Sequence, residues 1–344
     1  MGQAYTPGLK VTNRMTFRTR RILPIPGKVL VETGDRVEAE QIVAETHMPG
    51  EITPLNMANL LSMPPGDVKE CMLKQEGDRV EVGDALAQTK GIFGLFKTTY
   101  KAKDAGTIET ISDVTGQLIL RGEPIPVQVQ AYVAGEVVEA IPDQGVVVEA
   151  EVTYVQGIFG IGGERFGTIK MAAVSHEQEL MADMITPEMK GCVIVGGARV
   201  WHEAVERAIE VGAAGIVAGG VDDEDLKRIL GYDLGVAITG TEDVGLTMVI
   251  TEGFGDIAMA ERTFQLLKSR EGKYASINGA TQIRAGVMRP EIVIPLSPEE
   301  IGDSAGTGQV EGLLEMGRTV RIIRDPYFGL LGTVAGATIL GIAR

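Results

Sequence analysis

Aromatic side chains are scarce in this chain: they make up 5% of 344 residues, with a single tryptophan, Trp201. No stacking platform for single-stranded bases can be read from such a sequence. Cys71 and Cys192 are the only cysteines, and they lie far apart without a CxxC pair. That spacing supports neither a disulfide framework nor a cysteine metal site, and it fits a reducing compartment. The three histidines are His47, His176 and His202, and HExxH and the nucleophile elbow GxSxG are both missing. GxGxxG and GxxxxGK[ST] are absent too, so a dinucleotide or P-loop site is not supported. The longest apolar run, LLGTVAGATILGIA near the C-terminus, is shorter than the ~20 residues of a membrane span, and the N-terminus has no apolar core of the secretory type. The expectation is a soluble, cytoplasmic protein with no cofactor and no metal.

What the chain has in abundance is glycine, with 45 residues, and acid, with a formal net charge of −15. The charge is uneven. Residues 1–30 carry six basic residues and no acid, residues 316–344 carry four basic residues against Asp325, and the remainder holds a net −24. An acidic body repels polyphosphate, so a nucleic-acid role would have to use the ends. The simpler reading of the N-terminal arginines is solubility and ordinary strand edges.

The length predicts more than one domain. Residues 1–27 read as a basic arm. Residues 28–172 read as β, in short alternating runs such as KVLVETG, GQLILRG and GVVVEAEVTYV separated by Gly, Pro and Asp turns, with TPLNMANLL as one helical candidate. At Ser175 the pattern changes. SHEQELMADMI opens like a capped helix, with Ser175 and Gln178 in capping-box spacing. Alternating strand and helix patterns follow and predict an α/β domain with a largely parallel sheet over 175–290. Residues 291–344 form a last β unit. The expected fold class is therefore multi-domain α+β.

The segment GDRVE occurs at 34–38 and again at 77–81. Gly supplies a positive φ at a hairpin corner, and the following Asp can bond the local backbone. With Gly34, Asp35, Val37, Ile42 and Ala44 in one copy, and Gly77, Asp78, Val80, Gly83, Leu86 and Ala87 in the other, the region resembles the lipoyl/biotinyl-like barrel-sandwich hybrid. AKDAGTIETI looks like the return half, with Gly106 at its turn. AGTIETISDVTGQLIL at 105–120 parallels AGEVVEAIPDQGVVVEA at 134–150, and GIFG occurs at 91–94 and 157–160. Tandem or interleaved copies are expected. A carrier would need a lysine flanked as Asp-Lys-Ala or Met-Lys-Met. The nearest lysines, Lys90 and Lys97, have other neighbours, so the resemblance implies a structural hammerhead of the kind found inside larger assemblies.

GRTVRIIRDPYFGLLGTV at 317–334 resembles the KOW motif of ribosomal proteins and NusG-type elongation factors. The resemblance implies an SH3-like barrel that contacts RNA, ribosomal or polymerase surfaces, with Arg318, Arg321, Arg324, Tyr327 and Gly329 as contact candidates. Ten residues follow Val334, so an upstream segment or further chain is expected to complete the barrel.

The α/β region has small-residue loops after its strands: VGGAR, AGGVDDED, TGTEDVG and TEGFGD. Ligands of open α/β sheets bind beyond the carboxyl ends of the strands, which makes Gly196, Gly197, Gly219, Gly220, Thr239 and Gly240 a candidate pocket rim. The acids 222–225 are placed to cap a helix and oppose its dipole. The order AVERAIEVGAAGIVAGG then LTMVITEGFGDIAM also resembles the swivelling domain of protease-associated type, which implies binding. The leading expectation is a non-enzymatic scaffold or interaction protein of a macromolecular, RNA-containing assembly. The alternative is a small-molecule binder or enzyme using the glycine loops.

Overall fold

In the computed structural model, residues 9–90, 97–232, 242, 244–281, 288–303, 319–321, 331–333 and 335 are described. The chain is a strand-rich mixture of α and β built on several sheets.

The two GDRVE copies form the same corner. Glu32 N donates to Asp35 Oδ2 at 2.8 Å, and Gln75 N donates to Asp78 Oδ2 at 2.7 Å. Gly34 has φ 97° and Gly77 φ 91°, the left-handed region a Cβ disfavours. The next residues lead into two-residue strands with equivalent partners: Val37 faces Gly135, and Val80 faces Gly106. The parallel segments 105–120 and 134–150 are thus the return strands of the two copies.

The copies are nested. Ile42–Met48 pairs antiparallel with Ile125–Gln130 in one hairpin, and the whole second copy lies between its arms. That inserted part has its own sheet, ordered Ile52–Asn56, Gln117–Arg121, Gly106–Ile111, Arg79–Val80, and a separate hairpin of Ala85–Gln88 with Thr99–Lys101. The helical candidate at 53–61 is half strand and half helix. Asn56 Oδ1 accepts from Asn59 N at 3.0 Å to start the helix Met57–Leu61.

A twelve-stranded sheet forms most of the rest, beside a three-stranded sheet of Ile125–Gln130, Ile42–Met48 and Lys28–Val29. Val11–Ile22 and Arg199–Val200 branch from the main path of ten strands in the larger sheet. The order along that path is Phe159–Ile161, Thr247–Phe254, Gly215–Val221, Cys192–Val195, Glu164–Met171, Tyr274–Asn278, Glu291–Pro295, Gly145–Gln156, Gly135–Ile141, Arg36–Val37. Glu164–Met171, Cys192–Val195, Gly215–Val221 and Thr247–Phe254 run parallel to one another, while Tyr274–Asn278 is antiparallel. Continuous apolar runs such as GIVAGGV suit strands covered on both faces. His202–Val211 and Asp223–Leu230 bury Ala204, Val205 and Leu226 on one side, and Glu261–Ser269 buries Phe264 and Leu267 in a second core. The sheet passes through the boundary expected near Ser175, because Glu164–Met171 pairs with Cys192–Val195 and Gly145–Gln156 pairs with Glu291–Pro295.

Two local readings differ from the structure. Residues 175–181 are not helical. Leu180, fully buried, bridges Val200 in parallel, and Gln178 O accepts from Ala198 N at 2.8 Å, so tertiary pairing overrides the local capping pattern. Gln178 Oε1 accepts instead from Val174 N at 2.8 Å. The basic arm contains the strand Val11–Ile22, paired along Gly145–Gln156. Three of its four arginines meet carboxylates: Arg14 with Glu151 at 2.7 Å, Arg18 with Glu149, and Arg21 with both oxygens of Glu164 at 2.7 and 2.6 Å. Those charges neutralise strand neighbours and leave less for phosphate.

Candidate functional site

The parallel strands bring four of the predicted rim glycines together. Gly219 N donates to Ala198 O at 2.9 Å, Gly220 N to Ala198 O at 3.3 Å, and Met259 N to Gly197 O at 3.1 Å. None of these four has a positive φ, so conformation does not require glycine there. Space does. A Cβ on Gly197 would stand 2.2 Å from Ser175 O, on Gly219 2.4 Å from Ile257 O, and on Gly220 2.2 Å from Gly255 O. Gly196 packs against the Leu180 side chain. The described rim is therefore closed by main chain from 175–178 and 255–259. Thr239 and Gly240 lie outside the described residues.

Beside the closed loops stands a charged cluster. Arg199 opens the short strand Arg199–Val200, which pairs with Gly220 and Val221. Its Nη2 meets Asp225 Oδ2 at 2.7 Å and its Nη1 meets Asp256 Oδ1 at 2.8 Å. The guanidinium also lies over Trp201, 4.1 Å from the ring centroid. Trp201 Nε1 donates to Glu179 Oε2 at 2.8 Å. Hydrogen bonding to Asp225 raises the Arg199 pKa further above its ordinary value. Asp222 caps the helix Asp223–Leu230 by accepting from Glu224 N at 2.9 Å, as its position predicts, whereas Asp225 turns inward to Arg199. The cluster ties four segments together, and its cation is matched by carboxylates, so it offers little attraction to a phosphate.

His176 Nδ1 lies 2.9 Å from Met259 O, and His202 Nε2 lies 3.3 Å from Glu206 on the same helix. Among the described residues no group of three His, Cys, Asp or Glu side chains could hold a metal ion. Lys90, one of the two lysines nearest a carrier position, is paired with Glu70 at 2.7 Å.

A cleft of about 500 Å³ opens where Gly145–Gln156 changes partner, from Gly135–Ile141 up to Glu149 to Glu291–Pro295 from Val152 onward. Arg36, Glu38, Glu136, Glu149 and Glu151 line it. The alternation of VVVEAEV places Glu149 and Glu151 on one face, but the split between partner strands has no local signal.

Of the KOW-like segment, Thr319–Arg321 pairs antiparallel with Leu331–Thr333, with Val320 opposite Gly332. Arg321 sits in this hairpin. Arg318, Arg324, Tyr327 and Gly329 lie outside the described residues, as does the first GIFG. Among the described residues no helix is long and apolar enough to cross a membrane.

No protein-family model, curated protein or solved structure matches the chain.

Proposed function

We propose that the chain is a non-catalytic scaffold and interaction protein of a macromolecular assembly, and that it meets RNA-containing transcription or translation machinery through its KOW-like C-terminal segment. The observation that carries the first half of this reading is the closure of the glycine loops. A Cβ on Gly197, Gly219 or Gly220 would run into backbone of their own chain, which supports reading these loops as close packing positions. The nested β modules act as structural pieces, in keeping with their lack of a carrier lysine motif.

The second half rests on the motif and on charge. Arg318, Arg321 and Arg324 lie in a C-terminal stretch with a basic excess in an otherwise acidic sequence, and arginine clusters meet phosphate through paired N–H groups. The acidic body turns the rest of the protein away from polyphosphate, so contact is confined to the C-terminal end. Affinity capture of the full chain from native lysate, at low and moderate salt and with and without ribonuclease, tests this. Recovery of ribosomal, polymerase or RNA components supports the reading. Recovery of none at either salt overturns it.

A further inference from the structure

We propose that residues 50–122 form an independently cooperative head, thermodynamically uncoupled from the sheet that carries it and joined to it through a neck of two glycines. The head leaves the host hairpin after Met48 and returns at Ile125, which face each other. At the crossing, a Cβ on Gly50 would stand 2.1 Å from Gly122 O, and Gly122 N donates to Glu51 O at 2.8 Å. Two backbones thus touch where no side chain from either can intervene.

The head has a complete core. Met57, Leu61, Val68, Val80, Leu86, Ile108, Leu118 and Leu120 are buried against one another, and no host residue belongs to this cluster. The first copy's core gathers Val37, Val43, Val146, Val148 and Val293, all from the host. Among the described residues, every substantial packing contact of the head's strands and helices is made within the head. Across the neck, the described ion pairs contribute one, Arg79 with Glu123 at 2.8 Å, and both side chains are more than half exposed. An exposed pair couples two units only weakly. Cooperativity follows shared buried surface, and here the two cores share none.

The test is calorimetry of the full chain with one core truncation in each part. Leu118→Ala is expected to lower one transition by about 10 °C or more and to leave the other in place. Val148→Ala should lower the other alone. Ile108→Val, a milder truncation, is expected to shift the Leu118-sensitive transition by a few degrees, and it serves if Leu118→Ala leaves the head unfolded from the start. Hydrogen exchange on the same variants resolves overlapping transitions: Leu118→Ala or Ile108→Val should speed the amides of Gly106–Ile111 and Gln117–Arg121 and leave those of Gly145–Gln156 unchanged. A single transition moved by truncation in either core, or faster exchange throughout both parts in a head variant, overturns the proposal.

Discussion

The guanidinium of Arg199 stacks over the ring of Trp201 at 4.1 Å, and the same group holds the buried carboxylate of Asp225 at 2.7 Å. The Asp225 side chain is 4% exposed, so removing Arg199 leaves a buried carboxylate with only the longer contact to Arg228 at 3.9 Å. Arg199→Met is expected to cost about 3–5 kcal/mol, the usual penalty for breaking one side of a buried pair. The Asp256 side chain is 69% exposed, and Asp256→Asn should cost no more than about 1 kcal/mol. Urea denaturation of both variants checks the contrast; equal costs would contradict it.

The glycine loops give a second prediction, because packing and pocket readings separate there. Gly220→Ala puts a methyl group against Gly255 O and is expected to destabilise the chain by about 1–3 kcal/mol. Gly163→Ala, which meets nothing within 4 Å, should be close to neutral. A stable Gly220→Ala protein would mean that the loop has room after all.

Glu291 gives a pH dependence. Burial raises its carboxyl above the ordinary 4.5, with Glu164 acting in the same direction and Tyr154, Tyr132 and Arg21 opposing. Tyr154 donates to Glu291 Oε2 at 2.6 Å, and Gln156 Nε2 donates to the Tyr154 hydroxyl at 3.2 Å. A folded value above the unfolded one favours folding while the group is protonated. That contribution is whole below pH 4.5 and is lost as pH rises through the folded value. Glu151, lowered by Thr16 and Arg14, works the other way, so total stability mixes both signs. The difference between wild type and Glu291→Gln isolates the first. It should move against the wild type as pH rises from 4.5, and a flat difference in denaturation midpoints would contradict the assignment.

The repeated corners should behave alike. Asp35→Ala and Asp78→Ala each remove one side chain to backbone bond and are expected to cost about 0.5–1.5 kcal/mol. Gly34→Ala and Gly77→Ala each force a Cβ into the left-handed region, at about 1–2 kcal/mol. A loss at only one of the two sites, measured by chemical denaturation, would mean that the corners are not equivalent.

Much of this fold is legible in the sequence where the cause is local. Gly34 and Gly77 mark their corners because positive φ is a one-residue property. Gly212 ends His202–Val211 with φ 79° for the same reason. The nesting is not legible, since the pairing of Met48 with Ile125 spans the whole second copy and leaves no local trace. Nor is the extended path at Leu180, which is set by Val200 on a neighbouring strand. At the candidate site, the strand–loop pattern points to Gly197, Gly219 and Gly220, whose backbones lie close together. It cannot tell a glycine that admits a ligand from one that admits another backbone. That Arg199, Trp201 and Asp225 meet is not legible either, and Asp225 reads only as a helix-capping acid, because the meeting depends on three elements being folded first.

The most direct measurement of the functional account is gradient sedimentation of the full chain in native lysate at moderate salt, beside the Arg318→Ala, Arg321→Ala, Arg324→Ala triple variant. The wild type is predicted to travel with RNA-containing particles, and the variant to stay at the top of the gradient, with a salt dependence of binding reduced by about one unit of slope per arginine. A wild type that stays at the top, or a variant that sediments with it, would contradict the account.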